Sequence, residues 1–76
     1  MRMLLNNFRD DVDVEQNFDY GARTDGQPEY YAWNDIGADE AATNWSVTKY
    51  TYDGSDNVSK IKSRKGSWTG RVALFP

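Results

Sequence analysis

The chain contains no cysteine and no histidine. The first absence excludes disulfide staples and thiolate metal centres. The second removes the most frequent acid–base catalyst and the most frequent metal ligand. Aliphatic side chains are scarce: Leu, Ile, Val and Phe together make 13 of the 76 residues. No apolar run approaches the ~18–20 residues that a membrane-spanning helix needs, and no secretory signal pattern is present. These absences predict a module made in the cytoplasm, with no membrane partner, no metal, no cofactor and no catalytic residue. Its length fits one small domain.

What the chain does have is aromatic side chains, eleven in all, and sharply divided charge. Ordering each residue costs about 1.5 kcal/mol. Eleven aromatics and ten aliphatics offer little against that cost, so the composition predicts a subunit that is held by others. Net charge is −3 overall, which argues against nucleic acid as a partner. Residues 1–41 carry ten acidic and three basic side chains, whereas residues 42–76 carry two acidic and six basic ones.

The fold class expected is all-β, a small antiparallel meander or partial sandwich with an extended N-terminal arm. Residues 1–27 read as that acidic arm, extended or partly disordered without a partner. Their alternation Val12-Asp13-Val14-Glu15 has the period of a strand, and Thr24-Asp25-Gly26-Gln27-Pro28 is turn chemistry. Residues 28–76 read as the β domain. Tyr30–Trp33 is a short aromatic strand. Trp45–Tyr52 is rich in aromatic and β-branched residues and gives the clearest strand signal. Asp53–Asn57 is a hairpin turn, Val58–Arg64 the return strand, and Ser67–Phe75 a third strand after a turn at Lys65-Gly66. The predicted core is Trp45, Val47, Ile61, Trp68, Val72 and Leu74.

Several constellations invite chemistry and lack its requirements. Asp10, Asp11, Asp13 and Glu15 crowd together, as do Asp39 and Glu40, but nothing fixes a cleft for paired-carboxylate hydrolysis. Asp53–Asn57 lacks the ligand order of a calcium loop. The six glycines form no phosphate-binding pattern. Asn44-Trp45-Ser46 and Asn57-Val58-Ser59 match the glycosylation acceptor pattern, a coincidence in a chain without a secretory signal. Tyr31 and Trp33 are the candidates for stacking on a sugar ring, within a wider set that includes Tyr30, Tyr50, Tyr52 and Trp68. Lys60–Lys65, with Tyr50 and Trp68, is a weaker candidate for single-stranded nucleic acid.

The segment Tyr30–Ala38 followed by Trp45–Val58 resembles small tailed-bacteriophage virion proteins. These carry an aromatic strand, a small-residue loop and a W-x-(I/V)-x-K-x-x-Y-D-x-x-x-N-V hairpin. Trp45, Val47, Lys49, Tyr52, Asp53, Asn57 and Val58 match that pattern. The chain departs from it in carrying Lys60–Lys65 where an acidic stretch is usual. The resemblance implies a non-enzymatic structural subunit of a tail, neck or capsid-decorating layer, present in many symmetric copies. It would be synthesised in the bacterial cytoplasm and contact other virion proteins. Within it, Asp10, Asp11, Asp13 and Glu15 are expected to meet Lys60, Lys62, Arg64 or Lys65, either inside one subunit or head to tail between copies. Met3, Leu4, Leu5 and Phe8 are expected to form a docking arm. A carbohydrate- or receptor-binding β module is the alternative reading.

Overall fold

The computed structural model describes residues 13–76. Its main feature is a four-stranded antiparallel sheet in the order β1-β2-β3-β4, formed by Val14–Asp19, Tyr30–Asp35, Trp45–Tyr52 and Val58–Gly66. The all-β meander expected from the sequence is therefore the fold. Val14–Asp19 lies within the span read as an arm and is the strand that borders β2. Met3, Leu4, Leu5, Phe8, Asp10 and Asp11 lie outside the described residues.

Side chains on a strand alternate between faces, and the register fixes which ones share a face. The front carries Glu15, Asn17 and Asp19 of β1, Tyr30, Ala32 and Asn34 of β2, Trp45, Val47 and Lys49 of β3, and Lys60, Lys62 and Arg64 of β4. The back carries Gln16, Phe18, Tyr31, Trp33, Thr48, Tyr50, Ile61 and Ser63. The central strands β2 and β3 are buried along most of their length, whereas β4 is exposed everywhere except its two ends.

The front core consists of Tyr30, Ala32, Trp45, Val47, Trp68 and Phe75, with Ala38, Ala42 and Leu74 packed against it. A single sheet supplies only one wall of such a core, and the chain's own C-terminus supplies the other. The third strand expected over Ser67–Phe75 does not form. After Gly66 the backbone folds back: Gly70 N–H donates to Ser67 Oγ and Arg71 N–H donates to the Trp68 carbonyl. A one-turn helix, α1 (Arg71–Leu74), follows.

The physical reason lies in demand for cover. Trp45, Val47 and Ala32 need apolar partners, and pairing Ser67–Phe75 along the edge of β4 would leave them facing water. The helical turn presents Trp68, Leu74 and Phe75 to the sheet. Leu74 sits so close to Gly66 that a Cβ there would lie 2.5 Å from Leu74 Cδ1. Two predicted core residues consequently fall outside the core. Val72 is 64% exposed, because the helical turn rotates it away from the sheet. Ile61 is 53% exposed, because it lies on the back of the edge strand, opposite Tyr50.

The loops are fixed by their own side chains. Asp53 Oδ1 accepts the N–H groups of Ser55 and Asn57, and Asp53 N–H donates to the Asn57 carbonyl. Asp56 adopts φ 64°, a left-handed conformation that Asp tolerates better than most residues. The β2–β3 loop is closed at its base by Asn34 Nδ2 donating to Asn44 Oδ1, while Trp45 Nε1 donates to the Asp39 carbonyl.

Trp45 is 0% exposed and hydrogen-bonded through its indole. Trp45→Ala is expected to destabilise the fold by about 3–5 kcal/mol, whereas Val72→Ser should stay within about 0.5 kcal/mol of the parent. Urea unfolding followed by tryptophan fluorescence checks both.

Candidate functional site

The most distinctive surface is the β4 edge. Lys60, Lys62 and Arg64 recur every second residue and share the front face. At ~3.3–3.4 Å of rise per residue, their side chains are spaced roughly 6.7 Å apart. Lys49 of β3 lies directly opposite Lys62, a like-charge pairing that opposes strand association. Its ammonium lies 5.8 Å from the centroid of the Tyr30 ring, a favourable cation–π position. On the back, Lys65 lies 5.9 Å from the Trp33 ring centroid. Beside it, Ser46, Ser63, Arg64 and Lys65 line an open depression of about 200 Å³. Among the described residues, no carboxylate lies within ion-pairing distance of Lys49, Lys60, Lys62, Arg64 or Lys65.

The acidic residues of β1 sit at the other margin of the sheet. Glu15 Oε1 accepts the Gly37 N–H at 2.9 Å, and Asp13 is exposed. Because β2 and β3 separate β1 from β4, Asp13 and Glu15 do not meet Lys60, Lys62, Arg64 or Lys65 within the sheet. The structure thus keeps Asp13 and Glu15 apart from the basic residues of β4, while Asp10 and Asp11 lie outside the described residues.

The ion pairs that do form tie loops together. Arg23 donates to Asp25 at 2.5 Å and to Asp56 at 3.3 Å, and its guanidinium lies 3.4 Å from the centroid of the Tyr52 ring. Gln27 Nε2 donates to Asp25 and to the Asp56 carbonyl, and the Tyr52 hydroxyl donates to the Pro28 carbonyl. Hydrogen bonds from Arg23 and then Gln27 hold the Asp25 carboxyl well below the usual carboxylate range. The charged groups lining the cavity of about 260 Å³ beside Ala22, Arg23, Thr24, Asp25 and Asp56 are already paired with one another, Arg23 with Asp25 and Asp56, and these pairs join two turns.

A second tie escaped the sequence reading altogether. Arg71 Nε donates to Asp19 Oδ2 at 3.0 Å and Nη1 to the Trp68 carbonyl, with the guanidinium 4.2 Å from the centroid of the Trp68 ring. This clasps the C-terminal turn to β1 across 52 positions of sequence, a separation at which no local signal exists. The Gly21 N–H, together with Arg71, lowers the Asp19 pKa against the opposing effect of burial.

The aromatic ligand platform loses Tyr31. Tyr31 is 1% exposed; its ring lies 5.2 Å from that of Phe18 and its hydroxyl donates to Gln16. A buried ring has no face to offer a sugar. Tyr30, Tyr50 and Trp68 are likewise buried, because in a chain so poor in aliphatics the aromatics must build the core. Trp33 is half-buried under Lys65. Among the described residues, no group of three acidic side chains is arranged to hold a metal ion.

Asp19 and Asp25 both have depressed folded-state pKa values. Their contribution is therefore complete above the ordinary carboxylate pKa of 3.8 and is lost as pH falls through the folded values. Thermal unfolding should show a level midpoint at neutral pH and a decline below about pH 4. Asp19→Asn should lower the plateau by about 1 kcal/mol and flatten part of that decline.

Comparison with protein-family models, with curated proteins and with solved structures finds no match for this chain.

Proposed function

We propose that this chain is a non-enzymatic structural subunit, built in multiple copies into a larger assembly of the tailed-bacteriophage virion type. The observation that carries the assembly reading is the β4 edge: a long exposed strand bearing Lys60, Lys62, Arg64 and Lys65, with no carboxylate partner among the described residues. Open strand edges are templates for another strand, and a chain with net charge −3 carries the matching charge elsewhere on itself. The virion setting draws its support from the Trp45–Val58 hairpin pattern. Six of the seven matching residues of that pattern have a structural task here. Trp45 and Val47 fill the core, Tyr52 and Lys49 anchor against Pro28 and Tyr30, and Asp53 and Asn57 form the turn. A motif made of structural parts suits a building block better than a catalyst.

The contacts proposed are with other copies and with neighbouring virion proteins, after synthesis in the host cytoplasm. Sedimentation velocity of the purified full chain tests this reading. Species well above 8.7 kDa that grow with concentration are expected. A compact, cooperatively folded monomer at every concentration would overturn the assembly reading. Salt-sensitive binding of a single-stranded oligonucleotide by that monomer would replace it with a nucleic-acid function.

A further inference from the structure

The two sheet margins carry a more specific inference, which rests on the assembly reading above. We infer that β4 of one copy accepts β1 of a second copy as its next antiparallel strand, with Glu15 and Asp13 of the incoming copy facing Lys62 and Arg64.

Strand direction permits this. Successive strands of the meander alternate in direction, so β1 and β4 run opposite ways. A second copy displaced sideways in the same orientation brings its β1 antiparallel to β4, front face beside front face. Glu15 lies on the front with Lys60, Lys62 and Arg64, and Asp13 stands just before the start of β1, two positions ahead of Glu15. Opposite charges thus come together on one side of a continuous sheet.

The register follows from the irregularity in β4. Thr51 pairs with Lys60 and Tyr52 with Val58, so Ser59 is left out of the ladder. The regular stretch available to a new strand begins at Lys60. Setting Glu15 opposite Lys62 places Asp13 opposite Arg64 and Asn17 opposite Lys60, wholly within that stretch. On the back, Gln16 then falls opposite Ile61, with Val14 and Phe18 as diagonal neighbours, close enough for an aromatic side chain to cover it. Ile61, 53% exposed in the single chain, is partly covered by this pairing.

Charge also excludes the symmetric alternatives. Two β4 edges brought together would oppose one row of Lys60, Lys62 and Arg64 to another, and two β1 edges would oppose Asp13 and Glu15 to themselves. Like charges directly opposed are unfavourable. The edge lysines that block self-pairing leave the acidic strand as the acceptable neighbour. Such a contact is heterologous, so it propagates into a ring or a filament and does not stop at a dimer.

The test is a charge exchange on the full chain, followed by sedimentation velocity at low and high salt, with circular dichroism to verify folding. Lys62→Glu/Arg64→Glu and, separately, Asp13→Lys/Glu15→Lys should each weaken association at least about tenfold. An equimolar mixture of the two variants should reassemble, because each supplies the edge that the other lacks. Glu15→Gln keeps an acceptor for Gly37 while removing the charge, and should weaken assembly with the fold intact. Loss of assembly in both variants with recovery on mixing supports the pairing. Undiminished assembly of either folded variant, or no recovery on mixing, overturns it while leaving the assembly reading standing. A parent chain that is monomeric at all concentrations and salts overturns both.

Discussion

Everything in this structure depends on covering the front of a single sheet. Trp45, Val47, Ala32 and Tyr30 make one wall of a core, and among the described residues there is no second sheet to make the other. The C-terminal turn supplies it, with Trp68, Leu74 and Phe75 laid across the strands. That requirement determines the path of the last ten residues and the need for Gly66, whose missing side chain admits Leu74. It also gives Arg71 its place, bridging the Trp68 carbonyl and Asp19. The cover is thin, and the charged clasp holds it against β1, where apolar area alone would be small.

The rest of the stabilisation is concentrated in turns. Asp53 caps the β3–β4 turn from within, and Arg23 binds the β1–β2 loop to it through Asp25, Asp56 and the face of Tyr52. Polar side chains therefore carry work that a larger domain assigns to its core. This explains why so hydrophilic a chain, with a mean hydropathy of −0.87, still yields well-defined strands.

Both aromatic-rich central strands are consumed by the interior, which leaves the sheet margins as the surface with chemistry to spare. One margin is basic and the other acidic, and two strands stand between them. Among the described residues, the cations of β4 have no carboxylate partner, so ion pairing adds little to the stability of that strand.

The sequence alone determined the β character, the Trp45–Tyr52 strand, the Asp53–Asn57 turn and the segregation of charge, because each is written in neighbouring residues: period-two alternation, β-branched and aromatic composition, clustered Asp, Gly and Asn. It also named Trp45, Val47, Trp68 and Leu74 as residues of the interior. It misplaced Ile61 and Val72, and read Ser67–Phe75 as a strand. Apolar residues in a short run suit an edge strand or a covering turn equally, and only the unfilled front of the sheet decides between them. Tyr31 looked available for a ligand because exposure has no local signature. The Asp19–Arg71 clasp and the opposite placement of the two charged margins belong to the tertiary structure alone, since both join residues that no spacing in the chain connects.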